Sequence, residues 1–178
     1  MTAEFEFIRS LKNMNFTGLY SDRLLIYKDN KSEFHMNATT ALLGFRRLEE
    51  YVEETYLHIE WDEDFETGHD FLVIKEQTAP EPLEYKEINE PQQKYLISAS
   101  SYLSAHDIVK NVWAYGYSEE YGSQRHTIVL EFEDSFFKIQ ATPATDYRIV
   151  KEFPKPSIYD VILLSTEHRK ELDQHEGS

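Results

Sequence analysis

From Tyr56 to Trp61 apolar and polar positions alternate. Leu57, Ile59 and Trp61 fall on one face and Tyr56, His58 and Glu60 on the other, as a half-buried strand requires. Phe71 to Lys75 reads as its partner across an acidic loop. Upstream, Arg23 to Tyr27 and Glu33 to Met36 flank Lys28-Asp29-Asn30-Lys31, a hairpin signal around an Asp-Asn turn. Branched and aromatic content marks further strands at Tyr95 to Ser98, Ile108 to Tyr117, His126 to Phe132, Phe136 to Ala141 and Tyr147 to Lys151.

Three stretches carry helical spacing instead. Phe5, Ile8 and Leu11 share one face of a short amino-terminal helix, with Thr2 as its cap and Gly18 as its stop. Ala41, Phe45, Leu48, Val52 and Tyr56 recur at three- and four-residue intervals and predict a helix over about 40–55, although the strand-like branched and aromatic content of 108–115, its counterpart about seventy positions on, argues for a strand there instead. Ser157 with Asp160 resembles a capping box, and Val161, Ile162, Ser165, His168 and Leu172 continue it as a closing helix, although 158–164 also fits a last strand. The expected fold class is therefore α+β: two β-rich halves with two or three helices and antiparallel sheets.

The halves echo each other. Glu49-Glu50-Tyr51, Ile59-Glu60-Trp61-Asp62-Glu63 with Phe65, and Asp70-Phe71 through Glu76 return as Glu119-Glu120-Tyr121, Leu130-Glu131-Phe132-Glu133-Asp134 with Phe136, and Asp146-Tyr147 through Glu152. Acids repeat along with apolar residues, which suggests an internal duplication. A rival alignment sets Phe71-Leu72 against Phe136-Phe137. Between the halves, 79–93 holds Pro80, Pro82 and Pro91 among four glutamates with no apolar period, so it reads as a connector between a first half at 1–78 and a second at 94–178, packed as one body.

Charge changes the picture most. Eighteen Lys and Arg face thirty-three Asp and Glu, for a formal net charge of -15, which repels nucleic acid and anionic membrane and attracts a basic protein. Acidity spreads over both halves, with eight basic and sixteen acidic residues in 1–78, and ten against seventeen in 79–178. Yet 49–70 holds ten acids, and no Lys or Arg occurs between Leu48 and Lys75. The absence of cysteine excludes thiolate chemistry and makes a reducing cytoplasm the natural home, and no apolar run approaches a membrane span.

Catalytic signatures do not form. Asp62, Asp64, Glu66 and Asp70 surround Gly68, but a calcium loop counted from Asp62 puts Thr67 at the glycine position and Val73 at the closing glutamate. His58, Glu60 and Asp62 share a strand face that could ligate a transition metal with His69 or His35. Ser98, Ser100, Ser101 and Ser104 precede His106 and Asp107 without a nucleophile elbow, and no glycine-rich phosphate loop is present. Trp113, Tyr115, Tyr117 and Tyr121 beside Glu119 and Glu120 suit a partner rich in Arg and Lys.

These readings converge on a non-enzymatic acidic protein, without cofactor or metal, that occludes a basic protein in the manner of an immunity protein or nuclease inhibitor. Its expected docking residues are Glu49, Glu50, Glu53, Glu54, Asp62, Glu63, Asp64, Glu66, Tyr115, Tyr117, Glu119, Glu120 and Tyr121. The alternatives are a metal-dependent hydrolase built on His58, Glu60 and Asp62, and a structural or regulatory module.

Overall fold

The computed structural model describes residues 3–29, 33–48, 53–90, 93–117, 124–143 and 145–167. After one helix, α1 (Ala3–Ser10), come fourteen strands among the described residues. They are β1 (Asn15–Ser21), β2 (Leu24–Lys28), β3 (Phe34–Ala38), β4 (Ala41–Arg46), β5 (Glu54–Asp64), β6 (His69–Gln77), β7 (Glu84–Glu90), β8 (Gln93–Ser98), β9 (Ser100–Ile108), β10 (Asn111–Gly116), β11 (Arg125–Glu131), β12 (Phe136–Gln140), β13 (Asp146–Val150) and β14 (Val161–Ser165). With fourteen strands against one eight-residue helix among the described residues, the α+β expectation of two or three helices gives way to a predominantly β fold with antiparallel sheets.

One sheet has the order β6-β5-β4-β1-β9 and a second the order β14-β10-β11-β12-β13-β3-β2. They pack face to face in the manner of a sandwich. Phe45, Leu57 and Ile59 of the first sheet and Ile128, Phe137 and Tyr147 of the second belong to one buried cluster. At its centre the Phe16 ring lies 5.6 Å from Phe45, 5.7 Å from Phe132 and 5.2 Å from Phe137. Helix α1 closes one end of this core with Ile8 and Leu11, both fully buried. The helix stops at Ser10, well before Gly18, which is a β1 residue.

The strands exchange between sheets. The β2–β3 hairpin joins the seven-stranded sheet through β13, whereas β9 pairs with β1 in the five-stranded one. The paired strands β7 and β8 form a third layer, setting Leu83 and Tyr95 on Leu42 and Tyr56 of the outer face of the five-stranded sheet. That layer explains why Tyr56, on the polar face of the β5 alternation, is buried. It also places β7 within the stretch expected to be a structureless connector.

The helix expected at 40–55 is replaced by β4 and the start of β5, joined in register from Ala41↔Ile59 to Arg46↔Glu54. Every residue from Ala41 to Phe45 is buried, because β4 is covered by the second sheet on one side and the β7–β8 layer on the other. A strand buried on both faces reads as a continuous apolar run, and such a run contains helical spacing by default. The closing helix is likewise a strand. Ser157 N–H donates to Asp160 Oδ2 at 2.7 Å, as a capping box anticipates, but the chain then adds β14 to the free edge of β10. His168, Leu172 and Val52, which the expected helices invoked, lie outside the described residues.

The echo has a partial structural counterpart. Ile59 to Glu63 and Leu130 to Asp134 each run from the first strand of a hairpin toward its turn, and Ile59 and Leu130 both point into the core. Its tail falls on different strands, since Asp70-Phe71 is in β6 and Asp146-Tyr147 is in β13.

Candidate functional site

Antiparallel β5 and β6 pair from Tyr56↔Gln77 to Asp64↔His69 and project a turn over 65–68. Asp64 builds that turn. Its Oδ1 accepts from the backbone N–H of Glu66 at 2.9 Å and of Thr67 at 3.3 Å, and Gly68 takes the left-handed conformation, φ 69°, that reverses the chain. The other oxygen, Oδ2, accepts from Gln124 Nε2 at 2.9 Å. That bond, then those of the turn, hold the Asp64 carboxyl below its usual range, so it stays ionised. Phe65, next to it, is 93% exposed between Asp64 and Glu66, with Asp62 and Glu63 also exposed.

The tip is braced by rings as well. His69 stacks on Tyr117 with centroids 4.1 Å apart, and Tyr117 packs at 4.4 Å on His126 of β11. Thus the acidic hairpin tip and Tyr117, which follows β10, meet at one end of the sandwich although they are far apart in sequence.

Behind Tyr117 a cleft of about 440 Å³ opens on the outer face of the seven-stranded sheet. Tyr115, His126, Thr127, Lys138 and Gln140 form its floor, and residues 154–160 pass over it as a strap. The strap is pinned at one end by Phe153, edge-on to Trp113 at 5.0 Å and Phe136 at 5.5 Å. At the other, Asp160 Oδ1 lies 3.1 Å from His126 Nε2, an electrostatic contact not aligned as a linear hydrogen bond. His126 Nδ1 meets Thr127 Oγ1 at 2.8 Å. Burial lowers the His126 pKa despite the opposing pull of Asp160, so the imidazole is neutral near pH 7. Burial and then Asp160 raise the Tyr115 hydroxyl to about 12, keeping it a donor.

The remaining expected docking residues lie elsewhere. Glu53 is exposed just before β5, and Glu54 is an internal acceptor, receiving Thr17 Oγ1 and, at 2.9 Å, the Tyr56 hydroxyl. Burial first, then Glu54, pushes Tyr56 strongly upward and Tyr20 to about 12. Ten residues of extended chain separate Glu54 from Asp64, roughly 30 Å, so the acids of 53–54 and 62–66 form no single ridge. Tyr115 is buried in the cleft floor. Glu49, Glu50, Glu119, Glu120 and Tyr121 lie outside the described residues.

The strand-face metal set is not assembled as its spacing suggested. His58 Nε2 is 3.6 Å from Glu60 Oε1, with a pKa lowered by burial, while Asp62 Oδ1 accepts from the N–H of Glu63. His69 stacks on Tyr117, and His35 belongs to the other sheet. Among the described residues, the His and carboxylate group within ligating reach is Asp29, Glu33 and His35, whose ligand atoms lie within 4.8 Å of one another. His35 Nε2 there already contacts Asp29 Oδ2 at 3.3 Å.

Sequence reasoning missed the exposure of Phe65, although a phenylalanine inside Asp-Glu-Asp-Phe-Glu has no apolar period to bury it and was visible as such. It also missed His126, Lys138 and Asp160, whose proximity depends on strand pairing over distances that no local pattern records. Compared with protein-family models, curated proteins and solved structures, the chain matches none.

Proposed function

We propose that this chain is a non-enzymatic binding protein that occludes a basic protein, and that it docks through the tip of the β5–β6 hairpin. The carrying observation is Phe65, 93% exposed at a turn whose flanking side chains are Asp62, Glu63, Asp64 and Glu66. An isolated exposed phenylalanine is ordinary, but one ringed by carboxylates matches a partner pocket rimmed with Lys and Arg. Bracing supports the reading further: the Gln124 bond to Asp64 and the His69–Tyr117 stack fix the tip before binding, which reduces the entropy lost on association. Occlusion of a cationic cleft requires only such a ridge, and the net charge of -15 steers the encounter.

Site-specific photo-crosslinking tests this. With a photoreactive phenylalanine analogue at position 65, irradiation in lysate of the native host yields a single basic protein joined to the tip, and yield falls as salt rises. Recovery of acidic proteins, or of an indiscriminate mixture insensitive to salt, contradicts the proposal.

A further inference from the structure

The cleft beneath the strap lies apart from the acids of the hairpin tip, although Tyr117 both lines it and braces that tip. Its cation is Lys138, held half-buried by β12 and lining the cleft between the neutral His126 and Gln140. On its own sheet face Lys138 stands opposite Val129 of β11 and Arg148 of β13. Arg148 is engaged, its Nε donating to Asp146 Oδ2 at 2.6 Å. Asp160 is engaged too, by His126 on one oxygen and the Ser157 N–H on the other. Lys138 itself makes no hydrogen bond or contact ion pair with any described residue, and the carboxylates of Asp146 and Asp160 attract it only from beyond contact distance.

A partly desolvated ammonium whose N–H donors meet no acceptor is a costly arrangement, and an anion in direct contact with it is the group that relieves it. The surrounding donors agree, because the hydroxyls of Tyr115, Tyr117 and Thr127, the Gln140 amide and Lys155 of the strap all line the same space. Tyrosine rings and Pro154 and Pro156 supply apolar walls for an organic body. Each further negative charge on a ligand is opposed by the field of a protein at -15.

We propose that this cleft binds a small organic monocarboxylate, its carboxylate received by Lys138 and its body held between the tyrosine rings and the proline strap. A dianionic phosphate ester presents the same kind of group at greater electrostatic cost, and the two are separable by experiment. The strap must admit the ligand at the open side beside Tyr159, which is 76% exposed.

Isothermal titration of the full chain with benzoate, hexanoate, phenyl phosphate and the neutral isostere benzamide tests the assignment. The expected result is a benzoate or hexanoate dissociation constant of about 1 mM or tighter, with benzamide at least about ten-fold weaker, the loss of one charge-assisted hydrogen bond. Lys138→Met weakens carboxylate binding by about ten-fold or more while leaving the melting temperature unchanged or higher, since it removes a half-buried charge that has no direct partner. A purely structural lysine gives the opposite pattern, lower stability with unaltered binding, and overturns the proposal. So do benzamide binding as tightly as benzoate, phenyl phosphate binding more tightly than either carboxylate, and no binding by benzoate or hexanoate below about 10 mM.

Discussion

Gly44 sits in mid-strand where no turn requires it, and a methyl group there would meet Thr17 Oγ1 and Glu54 Oε1. A strand glycine of this kind marks close approach, here of the polar group formed by Thr17, Glu54 and Tyr56. Gly44→Ala therefore displaces Glu54 and is expected to cost about 1–3 kcal/mol in urea unfolding, as overpacking commonly does. Phe16→Ala, which empties the centre of the sheet interface, is expected to cost about 3–5 kcal/mol by the same measurement. Glu54 was legible as an acid but not as an internal one, because its partner Thr17 is on β1 and reaches it only through the β1–β4–β5 pairing. His126 gives a pH signature. Its folded pKa lies below that of the unfolded chain, so the unfolded state binds the extra proton as pH falls below about 6.5. Its contribution to stability is thus full at pH 7.5 and lost progressively on acidification. In His126→Gln the urea midpoint declines less between pH 7.5 and 5.5 than in the native chain, and an equal or steeper decline contradicts the assignment.

The elements were legible in proportion to how one-sided their burial is. β5, β6 and the strands from β10 to β13 alternate between core and solvent or carry concentrated branched and aromatic residues, and their positions were readable to within about three residues. β4 was not, because both its faces are covered, and neither was β7, whose alternation is disguised by prolines and glutamates around it. The capping signal at Ser157 was real as a local hydrogen bond, yet the edge of β10 decided what followed. The strap is an element in its own right, defined by Pro154 and Pro156, which hold it extended without ladder bonds. Phe153 anchors it, so Phe153→Ala in a Trp61→Phe background is expected to shift Trp113 emission to the red and to cost about 1–3 kcal/mol of stability, two edge-on ring contacts being lost. Unchanged emission would show that the strap is held by Asp160 alone.

At the scale of the whole molecule, three stacked layers leave two candidate surfaces, the hairpin tip and the cleft, that adjoin at Tyr117. The long β5–β6 pair carries acids and an exposed ring out at one end, and the outer face of the seven-stranded sheet keeps a lysine-lined cleft under a strap. Overall charge alone predicted attraction to cations but not where, and the sequence-based docking list mixed tip acids with Glu54, which is taken up as an acceptor by Thr17 and Tyr56, and Tyr115, which is buried in the cleft floor. The claim of a localised docking tip is separable from mere acidity by two variants that change charge equally. One carries Asp62→Lys, Glu63→Lys and Glu66→Lys at the tip, and the other Glu76→Lys, Glu84→Lys and Glu87→Lys on exposed positions of β6 and β7. The most direct measurement is the affinity of each for the crosslinked basic partner by titration at one ionic strength. A localised tip predicts a loss of about 100-fold or more for the first variant and less than about ten-fold for the second, whereas equal losses in both would contradict it.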